Sequence, residues 1–256
     1  MLSRKKMNLF LFLCIAFLLP LISVFLQRST PSLVIQFILY GIEAAAPTVA
    51  ALLVAAKERT LRTFFRENFS NKKIAPALIL PVTVAFSTML LTKTISCILL
   101  REQFAFGNIS TKQAVIIVWA LIAEELGWRG YLQPLLSQHM KRSYLTPLIV
   151  GIIWGLWHYH YFLSGGMQVP LMWFFIGCIA ESYIYGYLLE WSDYNLLSAM
   201  MYHFAWNLFI HVFALNPVDN MGNPFPYTVL TILEILLCIL LFLGRKTKWQ
   251  RLTLKT

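Results

Sequence analysis

Eight stretches of this 256-residue chain are apolar and long enough to cross the hydrocarbon core of a bilayer, about 30 Å thick. Lipid offers peptide groups no hydrogen-bond partner, so a spanning segment is either a helix or a strand of a closed barrel. Continuous apolarity over about 20 residues, rather than alternation over about ten, selects the helix. The approximate limits are Met7 to Gln27, Ser32 to Ala56, Ile74 to Leu100, Lys112 to Leu136, Leu145 to Leu163, Pro170 to Glu190, Asn195 to Leu215 and Pro226 to Leu243. The expectation is an all-α polytopic membrane bundle of about eight transmembrane helices, integral to the cell membrane. Pro76, Pro81, Pro134, Pro147 and Pro170 lie in or near these runs and are expected to kink or shorten helices.

Only 12% of the residues are charged, against about a quarter in soluble domains. The net charge of +10 does not point to nucleic acid, because the Lys and Arg residues cluster at the chain ends and in one loop. With the N-terminus inside, sixteen of the 21 basic residues face the cytoplasm and three, Arg28, Arg101 and Lys112, face the other side. Both termini are therefore expected in the cytoplasm. Arg4, Lys5 and Lys6 before an apolar stretch imitate a secretory signal, but a run of about 20 residues without a small-x-small cleavage site suits a retained helix better. Cys14, Cys97, Cys178 and Cys238 lie in separate runs without ligand spacing and are read as free. Nothing divides residues 1–256, so one membrane domain is expected. Phe64 and Phe65 lie in the basic loop from Lys57 to Lys73, which is read as a solvated positive-inside loop rather than an amphipathic surface segment.

Against this background, Glu124, Glu125 and Arg129 are costly, at about 2.5 to 3.5 kcal/mol for each ionised group at bilayer depth. Residues four apart share a helix face, so Glu125 can pair with Arg129 in the favourable order while Glu124 points elsewhere. Two adjacent carboxyls in one low-dielectric site do not both ionise comfortably, and a cation beside Glu125 alone leaves Glu124 as the one suited to exchange a proton. On the next run, Gly151 and Gly155 form a face for close helix approach, and His158 follows them. A later run carries His203 and Asn207, again four apart. At about 1.5 Å rise per residue, Glu124, His158, His203 and Asn207 fall within one or two turns of a common level. Three helices are thus expected to deliver acid, imidazole and amide to one layer.

These residues resemble the CPBP family of intramembrane endopeptidases, which contains type II CAAX prenyl proteases and bacteriocin-processing or immunity proteins. Glu124-Glu125-x-x-x-Arg129 with Trp128-Arg129-Gly130-Tyr131-Leu132 is similar to its first motif, His158 to the histidine of its second, and His203-x-x-x-Asn207 to its last. The family-like core runs from about residue 114 to 209. There are two departures. Trp154 stands four residues before His158 where the family usually has Phe, a change expected to alter pocket shape more than chemistry. Asp193-Tyr194-Asn195-Leu196 replaces the usual turn before the last motif.

The resemblance implies a peptide or protein substrate at the membrane, with membrane lipid as the surroundings. It implies that Glu124 activates a water for attack on a peptide carbonyl, that His158 holds or polarises that water, and that His203 and Asn207 hydrogen-bond the developing oxyanion. Glu125 and Arg129 would orient the site, and Trp154 and Glu181 would line the cavity. A zinc version would use Glu124, His158 and His203 with water in the fourth position, but there is no H-E-x-x-H helix. The metal-free reading is preferred and no cofactor is assigned. A non-catalytic bacteriocin-immunity protein or scaffold is the main alternative, and a small transporter is a weaker one. His160 and His211 are expected near the outer membrane surface with aromatic neighbours, and His139 in a basic cytoplasmic loop. Glu43, Lys93 and Glu234 stand as isolated intramembrane charges.

Overall fold

The computed structural model describes residues 2–69, 73–138, 140 and 144–244, and among them it contains helices and no strand. His139, Lys72, Lys141, Arg142 and the basic residues from Arg245 onward, which enter the charge argument, lie outside the described residues. In chain order the helices are α1 (Leu2–Ser29), α2 (Leu33–Ala44), α3 (Ala46–Lys57), α4 (Leu61–Asn68), α5 (Ile74–Leu100), α6 (Thr111–Ala123) and the single turn α7 (Glu125–Gly127). A π-turn (Trp128–Leu132) leads to α8 (Gln133–Ser137), α9 (Leu145–Trp157), α10 (Tyr159–Ser164), α11 (Leu171–Trp191) and α12 (Leu197–Val212). A 3₁₀ turn (Pro217–Asp219) then precedes α13 (Phe225–Leu243).

All eight apolar runs are helical, but they are not eight uninterrupted rods. Among the described residues four helices, α1, α5, α11 and α13, are long and apolar enough to span a bilayer, and α2 with α3 makes a fifth candidate bent by 61°. That bend has a local cause. Pro47 cannot donate to the Glu43 carbonyl and its ring crowds it, so the helix turns at Ala45. The run expected from Lys112 to Leu136 breaks at Glu124, whose φ of −120° leaves helical geometry. Further along it, Pro134 cannot donate to the Gly130 carbonyl. The helix widens there into the π-turn, and Asn68 Nδ2 supplies the missing hydrogen bond to Gly130 at 3.3 Å. The run from Leu145 breaks at His158, where the imidazole Nδ1 takes the Trp154 carbonyl at 2.7 Å.

The stretch read as a solvated loop is in part the helix α4, with Phe64 and Asn68 buried. Phe64 is an apolar anchor on the core, and Asn68 docks through its side chain on Gly130 and through its carbonyl on the Leu196 N–H at 2.8 Å. The turn after α11 places Asp193 and Tyr194 in the left-handed region, at φ 54° and 59°, and Asn195 Oδ1 accepts the Leu197 N–H at 3.1 Å. This hands the chain directly to α12. Gly151 meets α11 closely, as expected: a Cβ there would stand 2.8 Å from Ile179 Cα. Gly127 meets α3 more closely still, since a Cβ would lie 2.4 Å from the Pro47 carbonyl carbon. The four cysteines are free.

Candidate active site

The break at Glu124 puts its carboxylate and that of Glu125 to different uses. Glu125 is fully buried, and its Oε1 accepts Arg129 Nη1 at 3.2 Å, the i,i+4 pair expected from spacing. The same oxygen lies 2.8 Å from His203 Nδ1. Arg129 is also buried, with its guanidinium 4.4 Å from the centre of the Trp154 ring and 3.8 Å from that of Tyr185, so two aromatic faces share its charge with Glu125. An ionised Glu125 oxygen receives a proton rather than supplying one, which fixes Nδ1–H on His203 and turns Nε2 toward Glu124.

Glu124 Oε1 lies 3.9 Å from His203 Nε2. Its other oxygen, Oε2, accepts the indole N–H of Trp154 at 2.7 Å and of Trp128 at 3.2 Å. Two donors on one oxygen orient the carboxylate and leave Oε1 facing the histidine. The expectation that Trp154 alters shape more than chemistry is therefore corrected: an indole adds a hydrogen-bond donor that a Phe ring lacks. Trp128, four residues after Glu124, was not singled out from the sequence, although its helical spacing gave the signal.

His158 donates Nδ1–H to a carbonyl oxygen, which accepts only, so its Nε2 remains as an acceptor. Asn207 spends one N–H on the His203 carbonyl at 3.0 Å and keeps the other. Glu124, His158, His203 and Asn207, together with Trp154 and Glu181, line one cavity of about 170 Å³. The structure thus brings together the groups expected at a common level. Glu125 and Arg129 stand behind them.

Among the described residues no three His, Cys, Asp or Glu side chains converge closely enough to hold a metal ion. Glu124, His158 and His203 do not form such a set.

Three other expectations change. His160 has aromatic neighbours as expected, Trp157, Tyr159 and Tyr161, but it is also buried and paired, with Nδ1 2.5 Å from Glu43 Oε1, while Gln27 Nε2 donates to Glu43 Oε2 at 2.6 Å. Glu43 is therefore not isolated. His211 pairs with Asp219 rather than sitting among belt aromatics, its Nδ1 2.6 Å from Oδ2. Glu234 accepts the Trp206 indole N–H at 2.8 Å, and Lys93 lies 5.9 Å from the centre of the Phe104 ring. Helix α1, which carries no motif, supports the site from behind. Phe12 meets the Trp128 ring edge at 5.8 Å between centres, and the Ala16 carbonyl accepts Trp157 Nε1 at 2.8 Å.

Residues 106–209 match the family model described as type II CAAX prenyl endopeptidase Rce1-like. The CAAX prenyl protease 2 of Methanococcus maripaludis is 23% identical over 184 residues, covering 64% of this chain and 68% of that protein. The matched segment begins just before α6 and ends within α12, so it includes every group placed around the cavity. Over that segment the chain is similar to membrane proteases of the Rce1-like, type II CAAX prenyl endopeptidase kind.

Proposed function

We propose that this protein cleaves a peptide bond at or within the membrane with a water activated by Glu124. The carrying observation is the asymmetric carboxylate: Oε2 is held by two indoles, while Oε1 faces His203 Nε2 at 3.9 Å across the cavity. A water within hydrogen-bond reach of both atoms would be held beside the base. Glu124 takes a proton from that water as its oxygen bonds to the carbonyl carbon. The carbonyl oxygen becomes an oxyanion. The free N–H of Asn207, and Nε2–H of His203 when the ring is an imidazolium, donate to it. As the C–N bond breaks, Glu124 returns the proton to the leaving amine, so the enzyme ends the cycle unchanged.

Glu125 and Arg129 orient His203, and His158 presents its acceptor nitrogen to the water. The substrate is a peptide or protein at the membrane. A predominantly apolar groove of about 820 Å³ between α2 and α6 shares Tyr40, Ile116 and Trp119 with the cavity, which supports a substrate approaching from the lipid. By the distribution of basic residues, both chain ends lie in the cytoplasm.

Comparative peptide profiling of membranes holding the wild type or Glu124→Gln, each with and without a chelator, tests the reading. The expected result is a set of peptides that disappears with Glu124→Gln and persists under chelation. Identical profiles for the two proteins would overturn the enzymatic reading in favour of a binding role such as immunity, and loss under chelation would overturn the metal-free one.

A further inference from the structure

The face of α12 that carries His203 and Asn207 continues one turn further. His211 stands four residues beyond Asn207, and all three line the same cavity. Eight residues of helix place His211 about 12 Å along the axis from His203. Asn216, in the loop that follows α12, lines the same cavity.

Both residues are held in place. His211 Nδ1 lies 2.6 Å from Asp219 Oδ2, and Gln113 Nε2 donates to Asp219 Oδ1 at 3.4 Å, which ties the pair to the start of α6. His211 donates Nδ1–H to the carboxylate, which leaves Nε2 of the neutral ring as an acceptor. Asn216 Oδ1 accepts the Val218 N–H at 3.1 Å, so its amide N–H₂ is what it offers the cavity. One acceptor and one donor complement the N–H and C=O of a peptide backbone. Asp219, its side chain only 8% exposed, places a negative charge beside the neutral ring, so the place favours an uncharged backbone over a terminal carboxylate.

We infer that His211, oriented by Asp219, forms with Asn216 a subsite that binds the backbone of an extended peptide. An extended chain advances about 3.3 Å per residue, so the subsite lies about three to four residues from the bond broken beside His203. The inference rests on the protease reading given above and assigns that site an extended substrate with a defined reach.

The test uses the full-length protein in phosphatidylcholine liposomes with fluorescence-quenched peptides of one sequence, cleaved by the wild type and not by Glu124→Gln. The peptides carry one to five residues on each side of the cleaved bond. Lengthening one side from two to four residues is expected to raise kcat/KM about tenfold through KM, as one good hydrogen-bond pair would. His211→Phe, which keeps a ring but no acceptor, and Asn216→Ala, at a half-buried loop position, should each lose most of that gain. N-methylation of the third or fourth residue should remove the gain in the wild type and add no further loss in His211→Phe. Amidating the peptide C-terminus should leave the gain intact.

A gain that survives both substitutions, or that requires a free carboxylate, overturns the subsite. Cleavage that ignores peptide length does the same and leaves the protease reading standing. Failure of the wild type to cleave any peptide that Glu124→Gln spares brings down that reading and the subsite with it.

Discussion

Two buried glutamate–histidine pairs sit at breaks in apolar runs, and they differ in what they leave exposed. Glu43 lies just before the bend at Ala45, and His160 follows the break at His158. Both Glu43 oxygens are taken by side chains, His160 on one and Gln27 on the other, and neither residue of this pair lines the reaction cavity. Glu124 is equally buried, yet only one of its oxygens is committed and the other faces His203 across open space. The same residue types, both buried, thus form a closed seam in one place and the proposed reactive centre in the other. What separates them is an uncommitted atom facing a cavity, not burial or charge.

The largest expected effect falls on the second pair. Glu124→Gln keeps the shape of the side chain but removes the base, and cleavage in liposomes should fall by about a thousandfold or more. A residual rate above a tenth of wild type would end the distinction. Asn207→Ala removes one oxyanion donor and should lower kcat by about a hundred- to a thousandfold, with KM moved much less. An effect confined to KM would assign Asn207 to binding.

The seam should respond in stability instead. Glu43→Ala leaves His160 and Gln27 buried without their partner and should lower the unfolding free energy in detergent by about 3 kcal/mol. Cleavage per folded molecule should stay within about twofold. A large loss of turnover at unchanged stability would show that the seam takes part in the reaction after all. The smallest effect sharpens the comparison: Trp154→Phe removes the shorter of the two bonds holding Glu124 Oε2 and should reduce kcat by about tenfold with little change in unfolding. Adding Trp128→Phe should deepen the loss in kcat, and a double variant no worse than Trp154→Phe would show that Trp128 holds nothing.

Much of this architecture was legible from residue order. The eight apolar runs are helical, and the i,i+4 rule placed Arg129 on Glu125. Reading depth along each run brought Glu124, His158, His203 and Asn207 to one layer before any contact was known. The disturbance at Pro134 was expected from the sequence, and the bend before Pro47 follows the same rule, because each proline denies a hydrogen bond four residues back. The break at His158 was not, since it depends on an imidazole competing for its own helix's carbonyl. The partners of His160 and His211 were not legible for a related reason: hydropathy locates a residue along the membrane normal but is silent about the side chain beside it.

Residue order alone therefore settled that the chain is helical, that it is built for a membrane, and which polar side chains share a level. These follow from short-range physics, the need of every peptide group in lipid for a local partner and the fixed rise of a helix. The tertiary structure alone decided which atom of each group is used. Trp154 reaches Glu124 across 30 residues, His203 reaches Glu125 across 78, and His160 reaches Glu43 across 117. Hydrogen bonds are directional and depend on the helices that happen to be neighbours, so the oxygen left free on Glu124 is a property of the packed bundle rather than of the segment that carries it.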